Sequence, residues 1–392
     1  MSTSVRPFFP LSAMVTGFVT VLIGFTSSAV LIFQAAEQAG ASPAQVSSWI
    51  GALAIGMGLT TIMLSWRYRV PVVTAWSTPG AALLVGSLSG VPMAEAIGAF
   101  VFCGVLITVF GVTGWFERAM HRLPISLAAA MLAGVLLRFG MDVFVSLTTR
   151  FWLVMAMFVA YLVFKRLWPR YVILMVLAIG TAIAAATGAL HLDAVQLSVS
   201  TPVWVTPAFN WQTLIGVGLP LFIVTMASQN IPGVAVMRAA GYHPPISPLI
   251  TTTGIATLVL APFGGFAINL AAITAAICMG PEADEDPAKR YVAAIFSGGF
   301  AVLLGVFGAT IGALFAAFPR ELVFAVAGLA LLGTIGNALS IAVKADDTRE
   351  AALVTFLATA SGMSLFGIGS AFWGLVLGGL ALAVLRKPAA KA

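Results

Sequence analysis

The chain has 392 residues, is 60% hydrophobic and only 8% charged, and carries a net charge of +6. So little charge over this length excludes an ordinary soluble domain and points to a polytopic membrane protein. Basic residues standing singly or in pairs argue against a nucleic-acid surface. Cys103 and Cys278 in apolar stretches exclude a disulfide framework, and the scattered His121, His191 and His243 form no metal-ligating cluster.

The first apolar stretch, after MSTSVRPFFP, is too long for a signal-peptide core and lacks a convincing cleavage site, so it reads as a spanning helix. In chain order the predicted spans are 11–36, 43–65, a broken one at 70–89, 92–116, 124–147, 150–168 and 170–189. They continue with 213–233, 246–260, a second broken one at 262–279, 288–318, 320–343, 348–367 and 370–386. Many open on helix starters: Ser42-Pro43, Pro92, Pro124, Ser247-Pro248 and Pro319. With the N-terminus in the cytoplasm, only Arg138, Arg150 and Arg320 of the 19 Lys and Arg fall outside. The rest, among them Arg67, Arg69, Lys165, Arg166, Lys289 and Arg290, fall inside. That bias predicts a bacterial-type inner membrane protein with both termini cytoplasmic.

An offset of 194 brings small-residue landmarks into coincidence. It carries Phe102-Cys103-Gly104 onto Phe296-Ser297-Gly298, Gly111 onto Gly305, Ala133-Gly134 onto Ala327-Gly328, and Gly24 onto Gly218. It also carries the first broken element onto the second. Each copy then holds seven elements, an odd number, so the second enters the membrane from the opposite side. Inverted repeats with paired broken helices are the pattern of secondary transporters, with substrate near the midplane. Simple duplication in any membrane protein is the alternative. The predicted fold is all-α and polytopic: fourteen elements in a seven-plus-seven inverted repeat, residues 1–190 and 205–392.

The first break is Val70-Pro71-Val72-Val73-Thr74, whose β-branching and proline favour extended backbone. Ser77 is a natural N-cap and Pro79 suits a first helical turn. A helix from Thr78 to Ser89 would be about 18 Å long at ~1.5 Å per residue, too short to span. In the second break, Pro262-Phe263-Gly264-Gly265-Phe266-Ala267-Ile268 is poor helix, and Asn269 is expected to cap a helix from Leu270 to Met279. Two half-helix N-termini would then point at the membrane centre from opposite sides, a setting for a small anion. A plain proline kink is the alternative at 70–86.

Other polar residues stand in the apolar field. Gln229 and Asn230, beside Ser228, read as substrate hydrogen-bonding groups, with Ser27 and Ser28 on the opposite side; interhelical packing is the alternative. Asn337 and the Thr359-Ser361-Ser364 group read as packing. Arg138 and Asp142, four apart, read as an intrahelical ion pair or as an outer gate or proton relay. Glu37 and Glu95 read as solvated helix ends, and Glu282-Ala283-Asp284-Glu285-Asp286 as a cytoplasmic loop. Trp76 and Phe266 flank the breaks, where they would stack on a planar ring or simply fill space.

The run Ala75-Trp76-Ser77-Thr78-Pro79-Gly80-Ala81-Ala82-Leu83 belongs to a set of motifs with Ser228-Gln229-Asn230-Ile231-Pro232-Gly233 and Phe263-Gly264-Gly265-Phe266-Ala267-Ile268-Asn269-Leu270. Together they resemble the benzoate/proton symporter family, a distant relative of uracil permeases and sulfate-permease anion transporters, over essentially the whole chain. The resemblance implies a core domain from 11–116 and 213–318 and a gate domain from 117–190 and 319–386, with the third and tenth elements each a short strand plus a half-helix. It implies a pocket of Trp76, Ser77, Thr78, Gln229, Asn230 and Asn269, to which Gly80, Phe266 and Ser28 are added from the residues themselves, and it makes a homodimer the assembly to test. Proton-coupled nucleobase relatives carry acidic residues in the eighth and tenth elements; here there is no carboxylate. That suits an anionic cargo and leaves Asp142, His243 or the cargo's own carboxyl group as the proton carrier.

The expected function is import of benzoate or a similar small aromatic carboxylate by proton symport, with no cofactor, no metal and no covalent chemistry. The carboxylate would lie between the half-helix N-termini and its ring against Trp76 and Phe266. Another small anion or a nucleobase is the rival cargo; an anion channel or an intramembrane enzyme is the rival class.

Overall fold

The computed structural model describes residues 11–119, 125–168, 172–191, 195–281, 283–363, 365 and 370–385. Arg6, His121, Arg122, Pro124, Arg170, Glu282, Ser364, Arg386, Lys387 and Lys391 lie outside the described residues, as do the side chains of Thr26 and Ser27.

The first half contains α1 (Leu11–Gln38), α2 (Pro43–Tyr68), β1 (Thr74–Trp76), α3 (Thr78–Ser87), α4 (Met93–Val112), α5 (Trp115–Ala119), α6 (Ile125–Ser146), α7 (Phe151–Leu167) and α8 (Val172–Ala186). Next come α9 (Trp211–Thr213), a π-helical turn Leu214–Gly218, α10 (Leu219–Thr225), a second π turn Met226–Asn230 and α11 (Ile231–Ala239). They run on as one helical rod. The chain ends with α12 (Ile246–Leu260), β2 (Ile268–Leu270), α13 (Ile273–Met279), α14 (Tyr291–Val306), α15 (Gly308–Ala317), α16 (Arg320–Val343), α17 (Arg349–Ala360) and α18 (Ser370–Leu385). Eight helices among the described residues are long and apolar enough to cross a membrane. The span expected at 288–318 is two helices, α14 and α15, divided after Phe307.

Local chemistry explains the element ends. Ser42 and Gln45 form a capping box at the start of α2, with Pro43 in its first turn. Pro220 and Pro232 each lie two residues past a π turn. A proline has no N–H to offer the carbonyl four residues back, and a turn widened to i→i+5 accommodates that.

Two groups of helices emerge from the packing. Helix α2 packs on α14, α4 on α12, and α1 on α14. Separately, α6 packs on α16 and α17, α17 on α18, and α7 on α8. The interfaces are lined by glycine where backbones approach closely: a Cβ at Gly58 would come within 2.6 Å of the Gly298 carbonyl, and the reverse distance is also 2.6 Å.

At the centre β1 and β2 pair antiparallel, Thr74 with Leu270, Ala75 with Asn269 and Trp76 with Ile268. The ladder is prolonged at both ends, Ser77 N–H donating to the Ala267 carbonyl at 3.0 Å and Ala271 N–H to that of Val73 at 2.9 Å. A two-stranded ribbon inside a helical protein leaves two open edges, and side chains close them. Thr61 Oγ1 accepts from Thr74 N–H, Ser65 Oγ from Val72 N–H, Thr257 Oγ1 from Ile268 N–H, and Asn230 Oδ1 from Leu270 N–H.

Candidate functional site

The crossing of the two interrupted elements gathers most of the residues singled out in the sequence. Trp76, Ser77, Asn230, Phe266 and Asn269 are all buried there, while Ala75, Thr78 and Gln229 are half-buried.

Ser77 is the N-cap of α3. Its Oγ accepts from Gly80 N–H at 3.1 Å and from Thr225 Oγ1 at 2.9 Å, and its carbonyl accepts from Ala81 N–H at 2.7 Å. Pro79 has no N–H. The cap thus takes up amides that would otherwise face an anion, and leaves Thr78 as the amide of this turn nearest the strand. A Cβ at Gly80 would stand 2.7 Å from Leu221 Cδ1, so glycine lets α3 start hard against α10.

The second half-helix differs from expectation. Asn269 does not cap it; the residue lies in β2, its backbone paired with Ala75. Helix α13 starts only at Ile273, behind Ala272, and has seven residues. The pull of the β1 ladder extends the chain past the point where local capping would have begun a helix.

Asn230 is fully buried with both ends of its amide engaged. Oδ1 accepts from Leu270 N–H at 2.9 Å and Nδ2 donates to Met226 Sδ at 3.0 Å. It holds β2 in place. Gln229, its neighbour in the π turn, keeps a half-exposed side chain; π turns often carry functional side chains in this way.

Asn269 Nδ2 donates to the Ala267 carbonyl at 3.2 Å, the same oxygen that accepts from Ser77 N–H. Its Oδ1 is buried with no partner. Ala267 sits at a φ of 35°, a left-handed conformation that side chains avoid. Strain of this kind collects where surrounding structure over-determines a backbone.

The two aromatic rings belong to different groups. Trp76 Nε1 donates to Ser28 Oγ at 2.9 Å, and the indole meets Phe25 edge-on at 4.8 Å. Ser28 Oγ in turn donates to the Gly24 carbonyl at 2.8 Å. Phe266 is enclosed with Trp49 and Phe100, centroids 6.3 and 5.6 Å away. It fills the core between α2 and α4, whereas Trp76 packs against α1.

Asp142 is half-buried near the end of α6, and the ion pairs among the described residues do not include one with Arg138. His243 is exposed in the connection between α11 and α12, 3.3 Å from the Gly241 carbonyl. Among the described residues no hydrogen bond or ion pair ties either side chain to the crossing. Glu95 is not simply solvated: its Oε2 accepts from Thr213 Oγ1 at 2.7 Å, tying α4 to α9.

Sequence reasoning missed Thr225, whose fully buried hydroxyl supports Ser77, and Gln34, a buried amide on α1 whose Nε2 has no partner. A polar side chain inside an apolar span was the signal available for both.

Against known families, residues 7–384 match the one described as BenE: Benzoate membrane transport protein. The chain is 50% identical over 377 residues to the Inner membrane protein YdcO of Escherichia coli, covering 96% of each. It is 42% identical over 380 residues to the Benzoate membrane transport protein of Acinetobacter baylyi, covering 97% of this chain and 96% of that one. Among solved structures, the murine Slc26a9 anion transporter in its inward-facing state superposes with a TM-score of 0.61 at 12% identity, over 97% of this chain and 69% of that one. The transmembrane domain of the cyanobacterial bicarbonate transporter BicA does so with a TM-score of 0.59 at 13% identity, over 97% and 98%. At such identities these likenesses speak to fold alone.

Proposed function

Because the chain belongs to the benzoate membrane transport protein family, we propose that it imports benzoate, or a small aromatic carboxylate like it, across a bacterial inner membrane by symport with protons. It is an integral, multi-pass membrane transporter, and its relatives are transport proteins rather than enzymes.

The observation that carries the proposal is the antiparallel pairing of β1 with β2, which brings the start of α3 and Asn269 together, both on stretches (70–94 and 246–279) without a charged side chain. Irregular backbone among apolar helices is tolerated where it serves a cavity or a ligand. The cargo's carboxyl group would lie between the Thr78 end of α3, Gln229 and Asn269. Trp76, held by Ser28 and Phe25 on the other face of the sheet, would support the strand rather than stack on the cargo.

The seven-plus-seven inverted repeat is part of this proposal. Its support is that the offset of 194 carries Thr74–Trp76 onto Ile268–Leu270, strand onto strand. It also makes the contact of α2 with α14 the counterpart of that between α12 and α4. The division into a core (11–116 and 213–318) and a gate (117–190 and 319–386) is supported by the two packing groups described above. Alternating access would move one against the other. The skewed distribution of Lys and Arg supports cytoplasmic termini.

Uptake of labelled benzoate into proteoliposomes tests this. Accumulation above the external concentration is expected with an inward proton gradient, and only equilibration without one. Uptake indifferent to the gradient removes symport; no uptake removes the cargo; large benzoate-dependent currents replace a carrier by a channel.

A further inference from the structure

The Asn269 side chain fixes the chemical form in which a carboxylate cargo can occupy the crossing. Its amide is oriented by its surroundings. The neighbour at 3.2 Å is the Ala267 carbonyl, which can only accept, so the group facing it is the NH2. The free atom is therefore Oδ1, a buried acceptor with nothing to accept from. An orphaned acceptor costs about 1–3 kcal/mol, and a ligand that brings a donor relieves that cost.

The sheet directs this oxygen. In an antiparallel pair, opposed residues share a face and successive residues alternate. Ala75, Asn269 and Ser77 therefore lie on one face, and Thr74, Trp76, Ile268 and Leu270 on the other. The second face is filled by α1 and α2, through Phe25, Ser28, Thr60 and Thr61. On the first face Ala75, opposite Asn269, has no side chain beyond Cβ and is half-buried. Two observations thus meet on one face: the Ser77 cap of the ten-residue α3, and a fully buried amide with a free oxygen two residue pairs along the ladder.

A carboxylate has no donor to give that oxygen, and two acceptors brought together repel. A carboxylic acid has one: its O–H donates to Oδ1 while its carbonyl accepts from the α3 end. Charge leads to the same conclusion. The stretches 70–116, 211–237 and 246–279, which include β1, β2, α3, α10, α12 and α13, hold Glu95 as their one charged side chain, at the start of α4 and bonded to Thr213. On the other helices packed against the sheet, α3 or the Gln229 turn, the ionisable groups are Glu37 on α1, Arg67 and Tyr68 on α2, Arg138 and Asp142 on α6 and Arg238 on α11; Glu37, Arg67, Arg138 and Arg238 are exposed, Tyr68 and Asp142 half-buried. An anion in this place would lose its hydration without gaining a counter-charge.

Resting on the reading of the crossing as a benzoate site, we infer that the cargo is bound there as the neutral acid and carries the symported proton on its own carboxyl group, with Asn269 as the residue that selects this form. A carboxylate and one proton from the outer solution combine on binding; on release inside, water takes the proton and the anion departs. No protein carboxylate takes part.

Binding to the unaltered, detergent-purified protein at pH 7 tests this with three probes of one shape: benzoate, benzamide and benzenesulfonate. Benzamide presents an N–H donor without ionising; benzenesulfonate is a permanent anion with no proton to give. Calorimetry in buffers of different ionisation enthalpy should register about one proton taken up per benzoate bound and none for benzamide. Benzoate should bind more weakly as pH rises, benzamide equally throughout, and benzenesulfonate about tenfold to a hundredfold more weakly than benzamide. Benzenesulfonate binding as well as benzoate, with no proton uptake, overturns the inference and leaves the benzoate site standing. Binding of none of the three overturns both.

Discussion

Ala75 and Asn269 face each other across the two-stranded sheet, and they stand 194 residues apart, the offset at which the small-residue landmarks of the sequence coincide. Under the proposed inverted repeat the two copies would meet at this residue pair. The two residues differ in chemistry: a methyl group on one side, an amide on the other. A site built on a symmetry axis needs such a difference to bind an asymmetric guest in one orientation.

Asn230 is expected to act by holding β2 rather than by touching cargo. Asn230→Ala leaves Leu270 N–H without its acceptor in a fully buried position. The loss of stability should be about 1–3 kcal/mol, read as a lowered midpoint of thermal unfolding in detergent with or without benzoate. An unchanged midpoint would return Asn230 to the list of direct ligands.

Trp76 and Ser28 should be energetically coupled through the bond from Nε1 to Oγ. Trp76→Phe keeps the edge contact with Phe25 and loses that bond. A double-mutant cycle of Trp76→Phe with Ser28→Ala should give a coupling of about 0.5–1.5 kcal/mol. Strict additivity would mean that the bond contributes nothing to holding α1 on β1.

Phe266 is predicted to matter for stability and not for cargo. Phe266→Ala should cost about 3–5 kcal/mol through the cavity left between Trp49 and Phe100. Phe266→Leu, which keeps most of the volume, should leave benzoate affinity within about threefold, a shift worth less than ~1 kcal/mol. A much larger loss of affinity in the leucine variant would restore the stacking role expected from sequence.

Two glycines should respond oppositely to the same methyl group. Gly264 has a φ of +90°, and a Cβ there would lie 1.7 Å from Trp49 Cδ1, inside the indole. Gly264→Ala should cost more than about 3 kcal/mol. Gly299 faces open space within α14, so Gly299→Ala should be neutral or stabilising by up to about 1 kcal/mol. Unfolding midpoints of the two variants, measured side by side, check both.

Much of the architecture was legible from sequence. Val70-Pro71-Val72-Val73 and the glycines after Pro262 forbid good helix locally, so both interruptions announced themselves. Ser77 capped α3 as its side chain foretold. What could not be read was decided by contacts between distant segments. Asn269 is as good a local cap as Ser77, yet it is drawn into β2 by a partner strand far along the chain. The rings of Trp76 and Phe266 each follow their neighbours, Phe25 in one case and Trp49 in the other, which no spacing reveals. The π turns before Ile231 and Leu219 depend on prolines whose effect in a helix is a kink, a stop or a widened turn according to packing.

The ladder between β1 and β2 also sets a condition on how the protein is made. Each strand finds its main partner only in the other, and 194 residues of synthesis lie between them. At about 5–20 residues per second, the ribosome needs on the order of 10–40 s to deliver the second strand after the first. Through that interval the first strand sits in the bilayer or its insertion machinery with one edge held by Thr61 and Ser65 and the other bare. The ladder at the centre of the protein therefore cannot close until the second half has been made as far as Leu270.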